Sequence, residues 1–331
     1  MQKRARPKTE LKAESRPPFE LNSALAPAAA LTRLELPVSR LPTGMWVSLP
    51  VGVLHGAKPG PVIWLSATMH GDELNGVPII RHVLRQIDPR SLSGTVLAVP
   101  IVNIFGLLQE SRYLPDRRDL NRCFPGSRRG SSASQLAHLF MDKIVAHCEL
   151  GIDLHTGSGG RTNLPQIRCD LDDPPTLRLA TQFGAPLLLH SRLRDGSLRA
   201  AATELGKKVL LYEAGEANRF HSGPIEVGVR GILRVMEALG MIDAQAPKPT
   251  RSPWVSRNSK WVRATRTGFC ELVVHLGDRV HEGQELAVVF NALTPQGTSI
   301  RSKIDGVVIG LLKTPLVHRG DAIAHVAEVE I

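Results

Sequence analysis

The sequence predicts an α/β protein whose mixed, largely parallel sheet is flanked by helices and is followed by a small all-β domain. Short apolar runs alternate with stretches whose apolar residues recur at helical spacing, which is typical of α/β folds. A proline-rich segment at residues 244–253 ends this alternation, because proline at this density interrupts helices and central strands. Beyond it, short β-like runs separated by Gly-Asp turns indicate β structure alone.

The chain is predicted to contain three parts. Residues 1–30 are charged, carry prolines and contain few large apolar side chains, so we expect a poorly ordered basic tail. Residues 31–248 should form the α/β domain and residues 249–331 the all-β domain. Two domains also agree with the length, because 331 residues exceed the usual size of a single domain.

Within the α/β domain, apolar runs and helical periodicities give the order of the elements. Strands are predicted at residues 62–65, 96–102, 150–154, 186–190 and 209–212. Helices are predicted at residues 75–87, 133–146 and 228–240. In the second helix the apolar positions recur at three- and four-residue intervals.

Chemically reactive side chains follow two of these predicted strands. His70 and Glu73 come shortly after residues 62–65, and His155 follows residues 150–154. The ends of neighbouring strands are where open α/β sheets bind ligands. Imidazole and carboxylate groups bind zinc at about 2.0–2.2 Å, and a catalytic zinc keeps one position open. The pattern predicts a metal-dependent hydrolase with one zinc per chain, whereas a solvated His–Glu ion pair in a turn is the competing interpretation.

Four segments resemble the succinylglutamate desuccinylase/aspartoacylase family, which is similar to the zinc carboxypeptidases in fold. They are SATMHGDELNG at residues 66–76, DLNRCFPG at 119–126, DLHTG at 153–157 and YEAG at 212–215. The resemblance extends from about residue 36 to the C-terminus. It implies that His70, Glu73 and His155 bind zinc, and that Glu213 is the general base and acid. Glu216, three residues further on, is the rival candidate.

The resemblance also implies roles for two arginines and an asparagine. Asn121 and Arg122 would hold the carboxylate of the amino-acid half of a substrate, since a guanidinium donates two parallel hydrogen bonds to a carboxylate. Arg112 would stabilise the carbonyl oxygen as it becomes an oxyanion. Asp153 either orients an imidazole or caps a turn.

The C-terminal domain has its own resemblance. The segment GDRVHEGQEL at residues 277–286 is similar to the half-repeats of biotinyl and lipoyl carrier domains, which favours a barrel-sandwich-like fold. Lys303 lacks the setting of an attachment lysine, so we expect no lipoyl or biotin group. In the family this domain leans over the catalytic cleft, and some relatives place a tyrosine there. In this chain the only tyrosines are Tyr113 and Tyr212.

The predicted activity is that of a zinc-dependent amidohydrolase that removes an acyl group from an N-acyl amino acid or a related small carboxylate. A zinc metallocarboxypeptidase acting on a peptide or cell-wall fragment is the alternative, and a non-catalytic binding protein is a third hypothesis. A net charge of +10 makes nucleic-acid binding a competing hypothesis. The basic residues are scattered, however, and aromatic residues make up only 4% of the chain. The excess charge suits a small anionic substrate better.

Composition also indicates the cellular setting. Four cysteines without C-x-x-C spacing favour reduced thiols. Neither an apolar run of about 18 residues nor a secretory signal is visible, so we expect a cytoplasmic protein with no membrane or nucleic-acid partner. A homo-oligomer is compatible with this kind of α/β enzyme.

Overall fold

The computed structural model describes residues 16–244, 246–249, 251–293 and 296–330. The strands in this part of the chain are β1 (Phe19–Leu21), β2 (Ala24–Ala26), β3 (Ala30–Arg40), β4 (Trp46–His55), β5 (Lys58–Ala67), β6 (Ser93–Val99), β7 (Leu150–Gly157), β8 (Arg161–Cys169), β9 (Leu187–His190), β10 (Lys208–Glu216), β11 (Trp254–Ser256), β12 (Ser259–Arg263), β13 (Gly268–Leu272), β14 (Arg279–Val280), β15 (Glu285–Phe290), β16 (Thr298–Arg301), β17 (Gly306–Leu312), β18 (Leu316–Val317) and β19 (Ala322–Ala327).

The helices lie mostly between the strands of the first two thirds of the chain. They are α1 (Gly76–Gln86), α2 (Ile104–Leu108), α3 (Ser132–Lys143), α4 (Pro174–Phe183), α5 (Leu198–Glu204) and α6 (Ser222–Ala238), with 3-10 turns at Leu120–Arg122 and Val145–His147. Side-chain caps explain several helix starts. Ser131, Asp173 and Ser197 each accept a hydrogen bond from a backbone N–H in the first turn of α3, α4 and α5.

One large mixed sheet organises the molecule. Its main path has the order β12-β19-β17-β8-β10-β7-β5-β6-β4-β3. The centre, from β6 through β5 and β7 to β10, is parallel, and the flanking pairs along the main path are antiparallel. The predicted mixed sheet with a parallel centre and flanking helices is therefore confirmed.

Apolar side chains cover both faces of this sheet. Along β5, Ile63 and Leu65 face the core under α1, α4 and α6, whereas Trp64 between them faces the core under α3 and α5. This alternation is what the two-residue side-chain period of a strand requires. All three side chains are fully buried. With both faces covered, the carboxyl ends of the central strands remain as the place for polar groups.

The C-terminal region is antiparallel β structure, and it extends the main sheet. β17, β19 and β12 continue the sheet beyond β8, while β16, β15, β13 and β18 form a separate four-stranded sheet. Residues from both sheets pack into one apolar cluster that includes Val289 and Val308. Strands on both sides of residue 248 share hydrogen bonds, as β17 does with β8, and the division into domains at this residue stays a prediction.

The poorly ordered tail predicted at residues 1–30 is not what the structure shows from residue 16 onward. Residues 1–15 lie outside the described residues, but β1 and β2 form a hairpin and β3 begins at Ala30. Arg16 donates hydrogen bonds to three backbone carbonyls, those of Gly56, Lys58 and Gly94, at 3.1, 3.0 and 2.8 Å. These contacts order a segment whose composition alone indicated disorder.

A further difference concerns the strand β8. No strand was predicted at residues 161–169, where β8 lies, and a proline such as Pro165 is unusual in a central strand. The structure accommodates this proline where the pairing of β8 with β10 shifts register, between Asn163 and Gln166.

Among the described helices, none is long and apolar enough to cross a membrane.

Candidate active site

The candidate site begins in the loop between β5 and α1. The His70 Nδ1 atom lies 2.8 Å from Glu73 Oε1, and both side chains are buried. Position 71 has no room for a side chain, because a Cβ atom there would lie 1.9 Å from the backbone carbon of Gly106, so a glycine is required. Asn75 fixes the end of the loop: its Nδ2 donates to the carbonyl of Ala214 at 3.1 Å. The loop is therefore tied directly to the end of β10.

The second histidine comes from the neighbouring strand. His155 Nδ1 lies 2.7 Å from Glu73 Oε2, so the one carboxylate of Glu73 bridges both imidazoles. On its other side, His155 Nε2 lies 2.8 Å from Asp153 Oδ2. Asp153 also accepts a hydrogen bond from Ser66 Oγ at 2.7 Å. Of the two interpretations left open for Asp153, the geometry agrees with orienting an imidazole.

The electrostatics of this cluster follow from burial and close opposite charges. Burial alone would raise the pKa of Glu73, but the two adjacent histidines outweigh it and hold that pKa well below its usual range. Burial alone would likewise lower the pKa of His155, whereas Asp153 and Glu73 raise it. The cluster is therefore built to hold positive charge next to the carboxylate of Glu73.

These three residues fit a zinc ion. One ligand atom from each of His70, Glu73 and His155 lies within 4.8 Å of the others. Two imidazole nitrogens and one carboxylate form the ligand set of several hydrolytic zinc sites. Each imidazole also has its second nitrogen near a carboxylate, for His70 that of Asp119 at 3.2 Å. Such outer carboxylates usually orient the histidines that bind metal.

Arg112 lies beside this cluster. It donates to Asp119 Oδ2 from Nη2 at 2.9 Å and from Nε at 3.2 Å. Its Nη1 lies 3.4 Å from Glu73 Oε1 and 3.1 Å from Ser158 Oγ. Arg112 is thus held in a fixed orientation, with its guanidinium at the edge of the metal-binding cluster.

Glu213 occupies the next strand. In the parallel pairing of β10 with β7, Glu213 is directly opposite His155. Its Oε2 accepts a hydrogen bond from Asn163 Nδ2 at 2.7 Å, and its Oε1 lies 4.0 Å from Arg168 Nη1. Glu216 lies at the end of β10 and pairs with Arg219 at 3.6 Å. Of the two glutamates, Glu213 is the one on the wall of the cavity described below.

Asn121 and Arg122 lie in the 3-10 turn that follows Asp119. The side-chain oxygen of Asn121 accepts a hydrogen bond from the backbone N–H of Leu198, which ties this turn to the start of α5. The Arg122 side chain is exposed at the cavity, and it donates to the carbonyl of Asn121.

A cavity of about 490 Å³ brings all seven predicted site residues together. They are His70, Glu73, Arg112, Asn121, Arg122, His155 and Glu213. Among the described residues, its walls carry eight arginines but only two carboxylates. The arginines are Arg112, Arg122, Arg161, Arg168, Arg192, Arg194, Arg199 and Arg263.

Several residues on these walls were not predicted from the sequence. Asn163 and Arg168 lie on β8, which was not predicted. Trp261 and Arg263 come from β12, so the C-terminal region contributes to the cavity. Neither has a motif that could have identified it. Tyr212 is buried and its hydroxyl donates to the carbonyl of Pro224.

Comparisons with known proteins show which family the chain resembles. The model of the succinylglutamate desuccinylase/aspartoacylase catalytic domain matches residues 59–239. The N-alpha-acetyl-L-2,4-diaminobutyric acid deacetylase of Halomonas elongata is 30% identical over 315 residues, covering 89% of this chain and 90% of that protein.

Two solved structures extend the likeness to three dimensions. A succinylglutamate desuccinylase/aspartoacylase of Rhodobacter sphaeroides is 28% identical with a TM-score of 0.81, covering 91% of this chain and 95% of that one. The product-bound ectoine utilization protein EutE (DoeB) of Ruegeria pomeroyi is 23% identical with a TM-score of 0.83, covering 95% and 99%. With the matched catalytic-domain model spanning more than half of its length, the chain belongs to the succinylglutamate desuccinylase/aspartoacylase family, whose members are hydrolases of amide bonds.

Proposed function

We propose that this protein is a zinc-dependent deacylase that hydrolyses the amide bond of a small, anionic N-acyl amino acid or related carboxylate. The observation that carries the proposal is the cluster of His70, Glu73 and His155 beside Glu213 on one cavity wall. Family membership supports the reaction class. The zinc ion, the residue roles and the substrate are our inference.

His70, Glu73 and His155 would hold one zinc ion per chain. When bound, zinc supplies Lewis acidity that lowers the pKa of water and polarises a carbonyl group. Glu213 accepts the proton of the attacking water and returns it to the leaving amine. Arg112, fixed by Asp119, donates hydrogen bonds to the carbonyl oxygen as negative charge develops there.

The cavity walls support an anionic substrate. Arg122 is exposed at the cavity, and Asn121 lies next to it, so together they suit the carboxylate of the amino-acid half. Apart from Arg112 and Arg168, the arginines on the wall have no carboxylate within 4.0 Å among the described residues. A second negative group on the substrate would therefore gain more from this cavity than an ammonium group.

The C-terminal residues on the wall favour a small substrate over a polypeptide. Trp261, Arg263 and Ala322, which come from β12 and β19, add side chains to the cavity wall and so limit its volume to about 490 Å³. A metallocarboxypeptidase acting on peptides is therefore the second hypothesis. We propose a cytoplasmic location without a membrane or nucleic-acid partner, and the molecular mass in solution will test whether the chain forms a homo-oligomer.

Metal content and turnover measured together test this function. We expect one zinc per chain in the purified protein, loss of zinc in His155→Ala, and amine release from at least one member of a panel of N-acyl amino acids. The panel should include N-acyl dicarboxylic and N-acyl diamino acids, with short blocked peptides for comparison. Turnover of the peptides alone would support the carboxypeptidase, and metal-free protein without any turnover would contradict both enzyme hypotheses.

A further inference from the structure

The Glu213 carboxylate has a partner to which no role has been given, Asn163 on β8. Asn163 is 6% exposed, and its Nδ2 lies 2.7 Å from Glu213 Oε2. A carboxylate only accepts hydrogen bonds, so the amide nitrogen must be the group that faces it. The bond fixes one oxygen of Glu213 and leaves the other, Oε1, on the side of Arg168.

The position of Asn163 is set by strands on both sides of β8. Asn163 pairs with Gly215 of β10 on one side and with Gly310 of β17 on the other. Gly310 in turn pairs with His325 of β19, and His325 pairs with Trp261 of β12. These paired residues form a row across the sheet from the C-terminal strands to β10, and paired side chains share one face.

The absence of a side chain at Gly310 leaves space for the amide group of Asn163. A Cβ atom on Gly310 would lie 3.2 Å from Asn163 Oδ1 and 3.2 Å from the Cβ of His325. His325 cannot move aside easily, because its ring stacks on Trp261 at 4.3 Å and its Nε2 lies 2.9 Å from Ser259 Oγ. Any side chain at position 310 therefore pushes on the amide that holds Glu213.

We propose that Asn163 is the positioning residue of Glu213, and that the C-terminal strands set its orientation through Gly310. This inference rests on the proposed role of Glu213 as general base and acid. It gives the C-terminal region a part in catalysis beyond its residues on the cavity wall. Loss of the hydrogen bond lets the carboxylate rotate away from the attacking water, which slows the chemical step and leaves ground-state binding intact.

Three variants test the proposal. Asn163→Ala removes the amide, Asn163→Asp keeps its shape but removes the donor, and Gly310→Ala displaces it from the C-terminal side. We expect kcat to fall about 10- to 100-fold in each, as for other residues that orient a catalytic group, with KM within about twofold and zinc content unchanged. Asn258→Ala is the control, because Asn258 Nδ2 also donates to a carboxylate, that of Glu328 at 2.8 Å, but on the exposed surface and outside the cavity wall.

A double-mutant cycle decides whether Asn163 acts through Glu213. We expect Asn163→Ala to cost nothing further in a Glu213→Gln background, because the carboxylate that Asn163 orients can no longer act as a base there. Additive losses, an unchanged kcat in the Asn163 variants, or a change confined to KM would overturn the inference. Glu213→Gln with full activity would instead contradict the proposed role of Glu213, so the two failures are distinguishable.

Discussion

At the scale of single residues, the site depends on carboxylates that each serve more than one partner. Glu73 contacts both His70 and His155, and Asp119 contacts His70 while accepting hydrogen bonds from Arg112. Substituting either carboxylate, Glu73 or Asp119, therefore leaves positive charges of its neighbours without a counterpart. Such losses are larger than the worth of a single hydrogen bond, because an unpaired buried charge is strongly penalised.

His325 is a different kind of buried residue, because burial disfavours its charge. Burial, together with the positive charge of Arg168, lowers the pKa of His325 to about 3. In the unfolded chain a histidine has a pKa of about 6.5. As the pH falls below 6.5, the unfolded state binds a proton that the folded state does not. The stability is therefore complete above pH 6.5 and falls by up to about 1.4 kcal/mol per pH unit down to about pH 3.

His325→Phe tests this coupling, since phenylalanine keeps a ring against Trp261 but cannot be protonated. We expect a loss of about 1 kcal/mol at pH 7.5 from the missing bond to Ser259. Between pH 6 and 4.5 the free energy of unfolding should fall less in the variant than in the wild type. The difference should approach about 1.4 kcal/mol per pH unit, the slope that one proton gives. Urea unfolding at each pH measures this, and parallel pH profiles of the two proteins would contradict the assignment.

At the scale of elements, close packing between neighbouring strands sets where the ligands lie. β7 carries His155 and lies beside β5, from which the His70 loop departs. Gly151 of β7 lies against Trp64 of β5: a Cβ atom at this position would be 1.9 Å from two atoms of the indole ring. Trp64 is fully buried, so the ring has no open space into which it could move.

Gly151→Ala should therefore destabilise the protein by at least about 2 kcal/mol through overpacking. Gly223→Ala is the matched control, because Gly223 is exposed in the first turn of α6 and a Cβ atom there meets nothing within 4 Å. The control should be neutral or slightly stabilising, by up to about 1 kcal/mol, since alanine favours helix. Thermal unfolding of both variants checks the pair, and equal midpoints would show that β5 and β7 can separate.

At the scale of the whole molecule, positive charge is concentrated where the substrate is proposed to bind. The chain carries a net charge of +10, and arginines surround the cavity. A cavity lined by one sign of charge attracts ligands of the opposite sign, and salt weakens this attraction when the charges are exposed. The excess of basic residues therefore agrees with the small anionic substrate that we propose.

The salt dependence of turnover follows from this field. For an active N-acyl amino acid, we expect kcat/KM to fall several-fold when the ionic strength rises from about 0.02 to 0.3 M, as the Debye length shortens from about 20 to 6 Å. The corresponding carboxamide, which lacks the negative charge, should react more slowly and show little salt dependence. Equal salt dependence of acid and amide would argue against electrostatic attraction of the substrate.

The sequence by itself determined the α/β class, the family and the short segments around the proposed ligands. These depend on local patterns: apolar runs that become β5, β7 and β10, and polar residues placed just after or at their ends. The tertiary structure decided which distant residues join them. Asn163, Arg168 and Trp261 reach the cavity through pairing between strands that lie far apart in the chain, and such pairing leaves no local signal. The strand β8 itself was not predicted, and the register shift with β10 that accommodates Pro165 exists only once the two strands are paired.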